Sequence, residues 1–197
     1  MVFRPVSNLR SRQLGVSLIE MLVASTISIV VMIAVGSIFL SGQQLATERM
    51  QRLLVIQGIN EALRYIKEDA QRAGFNGSEG ASLMLSGAFN VISTSHSSLA
   101  YTYKKPDGDY TQVTFLLDDA KLKLCVNTEV VPIVNACTPA LSLLDQHRLR
   151  VDSFVVSETP LGGSVSSALI NLSLTASLND GTHTQTLSTQ IKQRNWN

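Results

Sequence analysis

From Met21 to Leu40, twenty consecutive positions carry no charge; further on, apolar residues recur every three or four positions, and after residue 97 they alternate one by one. Three spacings predict three kinds of element. At about 1.5 Å of rise per residue, the uncharged stretch matches the roughly 30 Å hydrocarbon core of a bilayer, so it predicts a membrane-spanning helix. In the second stretch Ile59, Ala62, Leu63, Ile66, Ala70 and Ala73 fall on one helical face, and Glu61, Arg64, Lys67, Glu68, Gln71 and Arg72 lie on the other. No proline interrupts residues 16–73, so one long helix is the economical reading. It should end near Gly74, where Ala73-Gly74-Phe75-Asn76-Gly77 supplies a glycine cap and a turn.

The third pattern predicts strands. Leu99, Tyr101 and Tyr103 alternate; Pro106-Asp107-Gly108-Asp109 follows as a turn; Val113, Phe115 and Leu117 alternate again, and after Asp118-Asp119 so do Leu122, Leu124 and Val126. Leu149, Val151 and Val155 alternate loosely, and Ile170, Leu172, Leu174, Ala176 and Leu178 alternate strictly with polar residues. Asn179-Asp180-Gly181 then turns the chain into a last strand over residues 184–191. Residues 76–98, rich in serine and glycine, read as a loop with a short strand around residues 88–93, and residues 161–167 as a second flexible connection. The sum is an antiparallel sheet laid on the distal half of the helix.

Charge orients the chain more than it selects partners. The net charge is +1, which gives no global pull towards nucleic acid. Arg4, Arg10 and Arg12 precede the apolar stretch with no acid among them, which holds that end in the cytoplasm and places the rest outside. An ordinary secretory signal has an apolar stretch of about 7–15 residues ending at a small-residue site. Ala34-Val35-Gly36 could serve as that site, but apolar residues continue through Ile38, Phe39 and Leu40.

The junction into the apolar stretch is unusual: Gly15 separates the basic leader from it, and Glu20 stands inside its first turns. A carboxylate within a membrane helix is costly and calls for a partner or a purpose. Gly15-Val16-Ser17-Leu18-Ile19-Glu20-Met21-Leu22-Val23-Ala24 resembles the cleavage and methylation motif of type IV prepilins, with Val16 where the family usually has Phe. The resemblance implies that a membrane aspartyl peptidase, the prepilin peptidase, cuts after Gly15 and that the new terminus at Val16 is N-methylated. Glu20 would then pair with the terminal ammonium of a neighbouring subunit, a pairing that sets register more than it adds stability. Ala24, Ser25, Ser28, Ala34, Gly36 and Ser37 allow close helix approach, and Gly36-Ser37 stands where major pilins often unwind.

A second stretch, Ala62 to Gly77, resembles the helix end of PilW-type minor pilins, in which an acid precedes an Arg-x-Ala-Gly-aromatic-x-Gly run; here it reads Asp69-Ala70-Gln71-Arg72-Ala73-Gly74-Phe75-Asn76-Gly77. Lys192-Gln193-Arg194-Asn195 is similar to the end of several members. The expected fold is therefore α+β and type IV pilin-like: a cleaved leader over residues 1–15, a transmembrane and polymerisation helix over 16–40, an amphipathic periplasmic helix over 41–74 and a β-rich head over 75–197.

Cys125 and Cys137 are the only cysteines, with eleven residues between them. In the oxidising compartment this topology implies, a disulfide is the default, contributing about 3 kcal/mol on the chain-entropy model. Pilins often carry a bridge nearer the C-terminus, so no equivalent role follows. His96, His147 and His183 lack metal-ligand spacing, and Asp107, Asp109, Asp118 and Asp119 are ordinary turn acids unless their turns abut around calcium. Lys104-Lys105 with Tyr101, Tyr103, Lys121 and Lys123 could form a small patch for single-stranded nucleic acid, but a solvated strand face accounts for them too. No catalytic set, cofactor loop or metal site is expected. The expected function is that of a minor pilin that primes or joins a pilus. Its expected partners are the prepilin peptidase, other major and minor pilins, the inner-membrane assembly platform and the membrane itself. A pseudopilin of a type II secretion system shares this plan, and an uncleaved, membrane-anchored binding or adhesive protein is the reading from another class.

Overall fold

The computed structural model describes residues 17–77, 80–128, 140–161 and 167–193. It divides into two compact units, Met1–Thr47 and Glu48–Asn197. A single helix, α1 (Leu18–Ala70), runs unbroken through Gly36-Ser37. In the first unit every described residue is exposed, including Met21, Met32 and Ile38. The mean hydropathy of its most apolar window is 2.4, so the helix is long and apolar enough to cross a membrane. The hydroxyls in this stretch bond back to their own helix: Ser25 Oγ to Leu22 O at 2.9 Å, Thr26 Oγ1 to Val23 O at 2.8 Å, Ser28 Oγ to Ala24 O at 2.8 Å and Ser37 Oγ to Ala34 O at 2.8 Å. Each of these hydroxyls is thus satisfied without water.

The second unit is built on the C-terminal part of α1, whose buried residues Val55, Ile59, Ala62, Leu63, Ile66 and Ala70 keep the helical spacing. Among the described residues eight strands form two antiparallel sheets. The first contains β1 (Ile92–Ser95), β2 (Ser98–Lys104), β3 (Tyr110–Asp118), β4 (Lys121–Asn127) and β5 (Ala140–Ser142), side by side in chain order. The second contains β6 (Leu149–Leu161), β7 (Ser167–Leu178) and β8 (Gln185–Lys192), also in order. Leu99, Tyr101, Phe115 and Leu122 of the first sheet and Phe154, Ile170, Leu172 and Leu174 of the second join the helix face in one core. Burial of side chains this size contributes about 1.5–3 kcal/mol each and dominates the fold's stability. At Gly58 the helix comes so close to β6 that an added Cβ would lie 2.6 Å from Leu149 Cδ1.

Two expectations change. Instead of one sheet there are two, because the chain leaves the first at Ser142 and its next long strand pairs with β7, not with β4. Alternation reports which face of a strand is buried; it does not report the neighbour. Within β6, Leu149 and Val151 are buried but Val155 is not; Phe154 and Val156 take its place. A bulge between Val151 and Ser153 inserts one residue, Asp152, and so reverses the parity of everything after it. The short strand expected near residues 88–93 lies at Ile92–Ser95.

β3 also separates side chains that the sequence suggested might meet. Asp107 and Asp109 precede it and Asp118 and Asp119 close it, about 30 Å apart at some 3.3 Å per residue. The two acidic turns therefore do not gather round one ion. Lys104 pairs with Tyr110 at one end of β3, whereas Lys121 pairs with Asp118 at the other, and Tyr101 is fully buried. The lysine and tyrosine patch does not form.

Candidate assembly site

Gly15 and Val16 lie outside the described residues, and so does Cys137. Glu20 is described, and its position answers why a carboxylate opens an apolar helix. Ser17 precedes the first helical residue, Leu18, and Glu20 is the third residue of the helix. The Ser17 backbone N donates to Glu20 Oε2 at 3.3 Å, and Met21 N donates to Ser17 O at 3.2 Å. This is one half of a capping box, in which an acid three residues beyond a serine reaches back to an otherwise orphan N–H. The positive end of the helix dipole favours the carboxylate there as well. The signal for it stood in the sequence as Ser-x-x-Glu before an apolar run. Glu20 is exposed, so the same carboxylate faces outward, towards whatever flanks the helix start.

Cys125 is buried on β4, where its register partners are Thr114 and Ala140. It belongs to the second unit and Glu20 to the first, so these two site residues serve separate ends of the chain.

The helix-end run acquires a structural meaning. Asp69 accepts a hydrogen bond from the buried Tyr101 hydroxyl of β2, and Arg72 Nη1 stands 3.5 Å from the other carboxylate oxygen. The Arg72 guanidinium lies 5.8 Å from the centre of the Tyr103 ring. Burial, then the Asp69 charge, pushes the Tyr101 hydroxyl far above the ordinary phenol range, so it stays a donor. A hydrogen bond to Tyr103, then the Asp69 charge, raises the Arg72 guanidinium further. Gly74 takes a φ of 80°, a left-handed value that suits glycine, and its N–H donates to Thr102 O at 2.9 Å. Phe75 O accepts from Lys104 N at 2.8 Å, and the Phe75 ring packs on the core. Acid, arginine, glycine and aromatic thus fasten the end of α1 to one edge of β2, by one contact each. Among the described residues no His, Cys, Asp and Glu side chains cluster as metal ligands would.

Residues 48–193 match the family model described as prepilin peptidase-dependent protein B. The chain belongs to that family. Its members' description makes this a prepilin peptidase-dependent, pilin-related protein, in keeping with a long apolar helix followed by an antiparallel β head. The narrower likeness to PilW-type minor pilins rests on the helix-end run alone. No curated protein and no solved structure matches the chain. The family match begins at Glu48, so it owes nothing to the Gly15–Glu20 junction. Dependence on the peptidase implies contact with that enzyme and with pilus components, and the single long apolar helix is compatible with a single-pass anchor.

Proposed function

We propose that this chain is a minor pilin, a non-enzymatic subunit that primes or joins a type IV pilus after the prepilin peptidase cuts between Gly15 and Val16. One observation carries the reading: two separate stretches point the same way. The junction Gly15 to Glu20 resembles a prepilin cleavage site, and residues 48–193, which do not include it, belong to a peptidase-dependent family. In this reading the leader arginines keep the N-terminus in the cytoplasm, the helix anchors the chain in the inner membrane, and the head lies in the periplasm until assembly. Cleavage turns the Val16 amide into an ammonium, and N-methylation retains its charge. The exposed Glu20 carboxylate exchanges its Ser17 contact for that ammonium on an adjoining subunit. Both charges leave water together; an unpaired one would cost several kcal/mol, so the pair selects one axial register. A Cys125–Cys137 bridge in the oxidising periplasm closes the loop beyond β4.

The decisive measurement is the mass of the N-terminal peptide of the protein from cells. A methylated species starting at Val16 is expected; an intact leader would refute the proposal and favour a stationary anchored protein. Glu20→Ala should leave cleavage intact and lower recovery in sheared filaments about tenfold or more, as expected for a register defect of some 1.4 kcal/mol or above. Deletion that stops enzyme secretion but spares piliation would reassign the chain to a type II secretion filament.

A further inference from the structure

Sheet edges offer unpaired N–H and C=O groups, and proteins normally shorten, kink, charge or cover them. Three of the four edges here are managed. β1 has four residues, and beyond it Gly74 and Phe75 continue along the same side of β2. β5 has three residues. β6 is long, but it carries the bulge at Asp152 and Pro160, and two of its outward N–H groups are taken: Val151 N donates to Ala120 O at 2.9 Å and Val156 N to His96 O at 3.0 Å. β8 shows none of these devices. It runs eight residues without proline, keeps an unbroken register with β7, and holds a single charge, Lys192, at its last position.

The ladder shows which of its groups are free. Gln193 N donates to Ala168 O at 2.9 Å, and antiparallel bonding alternates, so Gln185, Leu187, Thr189 and Ile191 exchange bonds with β7. The backbone groups of Thr186, Ser188, Gln190 and Lys192 point the other way, and no backbone bond from another described segment reaches them.

We propose that the free edge of β8 is a docking strand that takes an extended strand from a different pilin-type subunit anchored in the same membrane, an inference that rests on the proposed pilin function. Three features select this occupant. The edge is about 26 Å long and one strand wide, far short of the roughly 1,000 Å² of a stable free-standing interface, so the partner must be concentrated by a shared membrane. Pairing of β8 with the β8 of a second copy would be two-fold and closed, and could not be continued along a filament. The small polar side chains Thr186, Ser188 and Gln190 leave recognition to the main chain, with Lys192 placed to meet a carboxylate at one end.

The test uses the full chain in its native membranes, with p-benzoylphenylalanine at Thr186 as a photo-crosslinker and the adduct sequenced by mass spectrometry. The expected adduct joins a strand of another protein that has its own prepilin-type junction. Ser188→Pro and Gln190→Pro, which remove outward N–H groups and leave the β7 ladder whole, should each cut its yield at least tenfold. Hydrogen exchange on the purified wild type in detergent needs no variant: the amides of Ser188 and Gln190 should exchange at least a hundredfold faster than those of Leu187 and Thr189. Equal protection of both sets, an adduct with a second copy or a soluble protein, no adduct, or a yield unchanged by both prolines overturns the proposal. The N-terminal mass is read separately: a methylated Val16 terminus without an adduct overturns the docking strand and leaves the pilin reading standing.

Discussion

Replacing Tyr101 by Phe isolates the contact that fastens the end of α1 to β2. The ring stays, with its neighbours Phe115 at 6.2 Å and Tyr103 at 6.4 Å, so packing is retained and only the hydroxyl is lost. That hydroxyl is fully buried with its residue, and the Asp69 side chain it serves is only 12% exposed. A hydrogen bond to a charged group is worth about 1.5–3 kcal/mol, and what remains for Asp69 is an ion pair to a largely exposed Arg72, worth about 0–1 kcal/mol. The expected loss is therefore about 2 kcal/mol, or about 4–8 °C in Tm for a domain of this size. Urea unfolding of the detergent-solubilised chain, followed by near-UV circular dichroism, measures it. Asp69→Ala and the double variant complete a cycle whose coupling should reach about 1–2 kcal/mol. The pH dependence has a fixed sign. Because the Tyr101 hydroxyl is raised in the fold, its contribution is whole below the unfolded phenol pKa of about 10 and is lost as pH rises beyond it. The wild type should lose stability between pH 9.5 and about 11, and Tyr101→Phe should lose less. A Tyr101→Phe variant within about 0.5 kcal/mol of wild type, or a coupling near zero, refutes the reasoning.

Ala120 holds a φ of 54° in the two-residue turn between β3 and β4, a conformation that costs an L-residue about 1–2 kcal/mol, so Ala120→Gly should raise Tm by a few degrees in a thermal scan. Gly58→Val should lower stability by about 1–3 kcal/mol, because its side chain must displace the buried Leu149; urea midpoints read the effect. The hydrogen bond and charge of Lys123 hold the Asp118 carboxyl below the ordinary range, so this pair contributes stability above the unfolded carboxyl pKa and loses it as pH falls through the lower folded value. In carbon-detected NMR titrations Lys123→Ala should move the Asp118 midpoint upward.

Periodicity made the elements legible where one face is uniformly buried. Ile59, Ala62, Leu63, Ile66, Ala70 and Ala73 are all in the core, and Ile170, Leu172, Leu174 and Ala176 fill one side of β7. It failed at β5, whose three residues are too few to alternate, and at Asp152, where one inserted residue reverses the pattern that Val151 had set. The two-sheet arrangement was not readable because strands of either sheet bury their faces in the same core. The site divides the same way. Ser17 and Glu20 are local, four positions of one helix start, and their capping relation was present in the spacing. The contacts of Asp69 were not, since Tyr101 lies thirty-two residues further on and only the fold brings the two together.

The helix-end run does its work inside the fold. Its acid meets a buried hydroxyl, its arginine stacks on Tyr103, its glycine turns, and its aromatic packs on the core. Together they fix where α1 stops relative to β2, and through the register of β3 and β4 they fix the position of the first sheet. A slip of one residue at Gly74 would shift the first sheet by about 1.5 Å along the end of α1 and turn it by about 100° about that end. On the proposed pilin function, variants at Asp69 or Tyr101 should impair filament incorporation only as far as they loosen that joint.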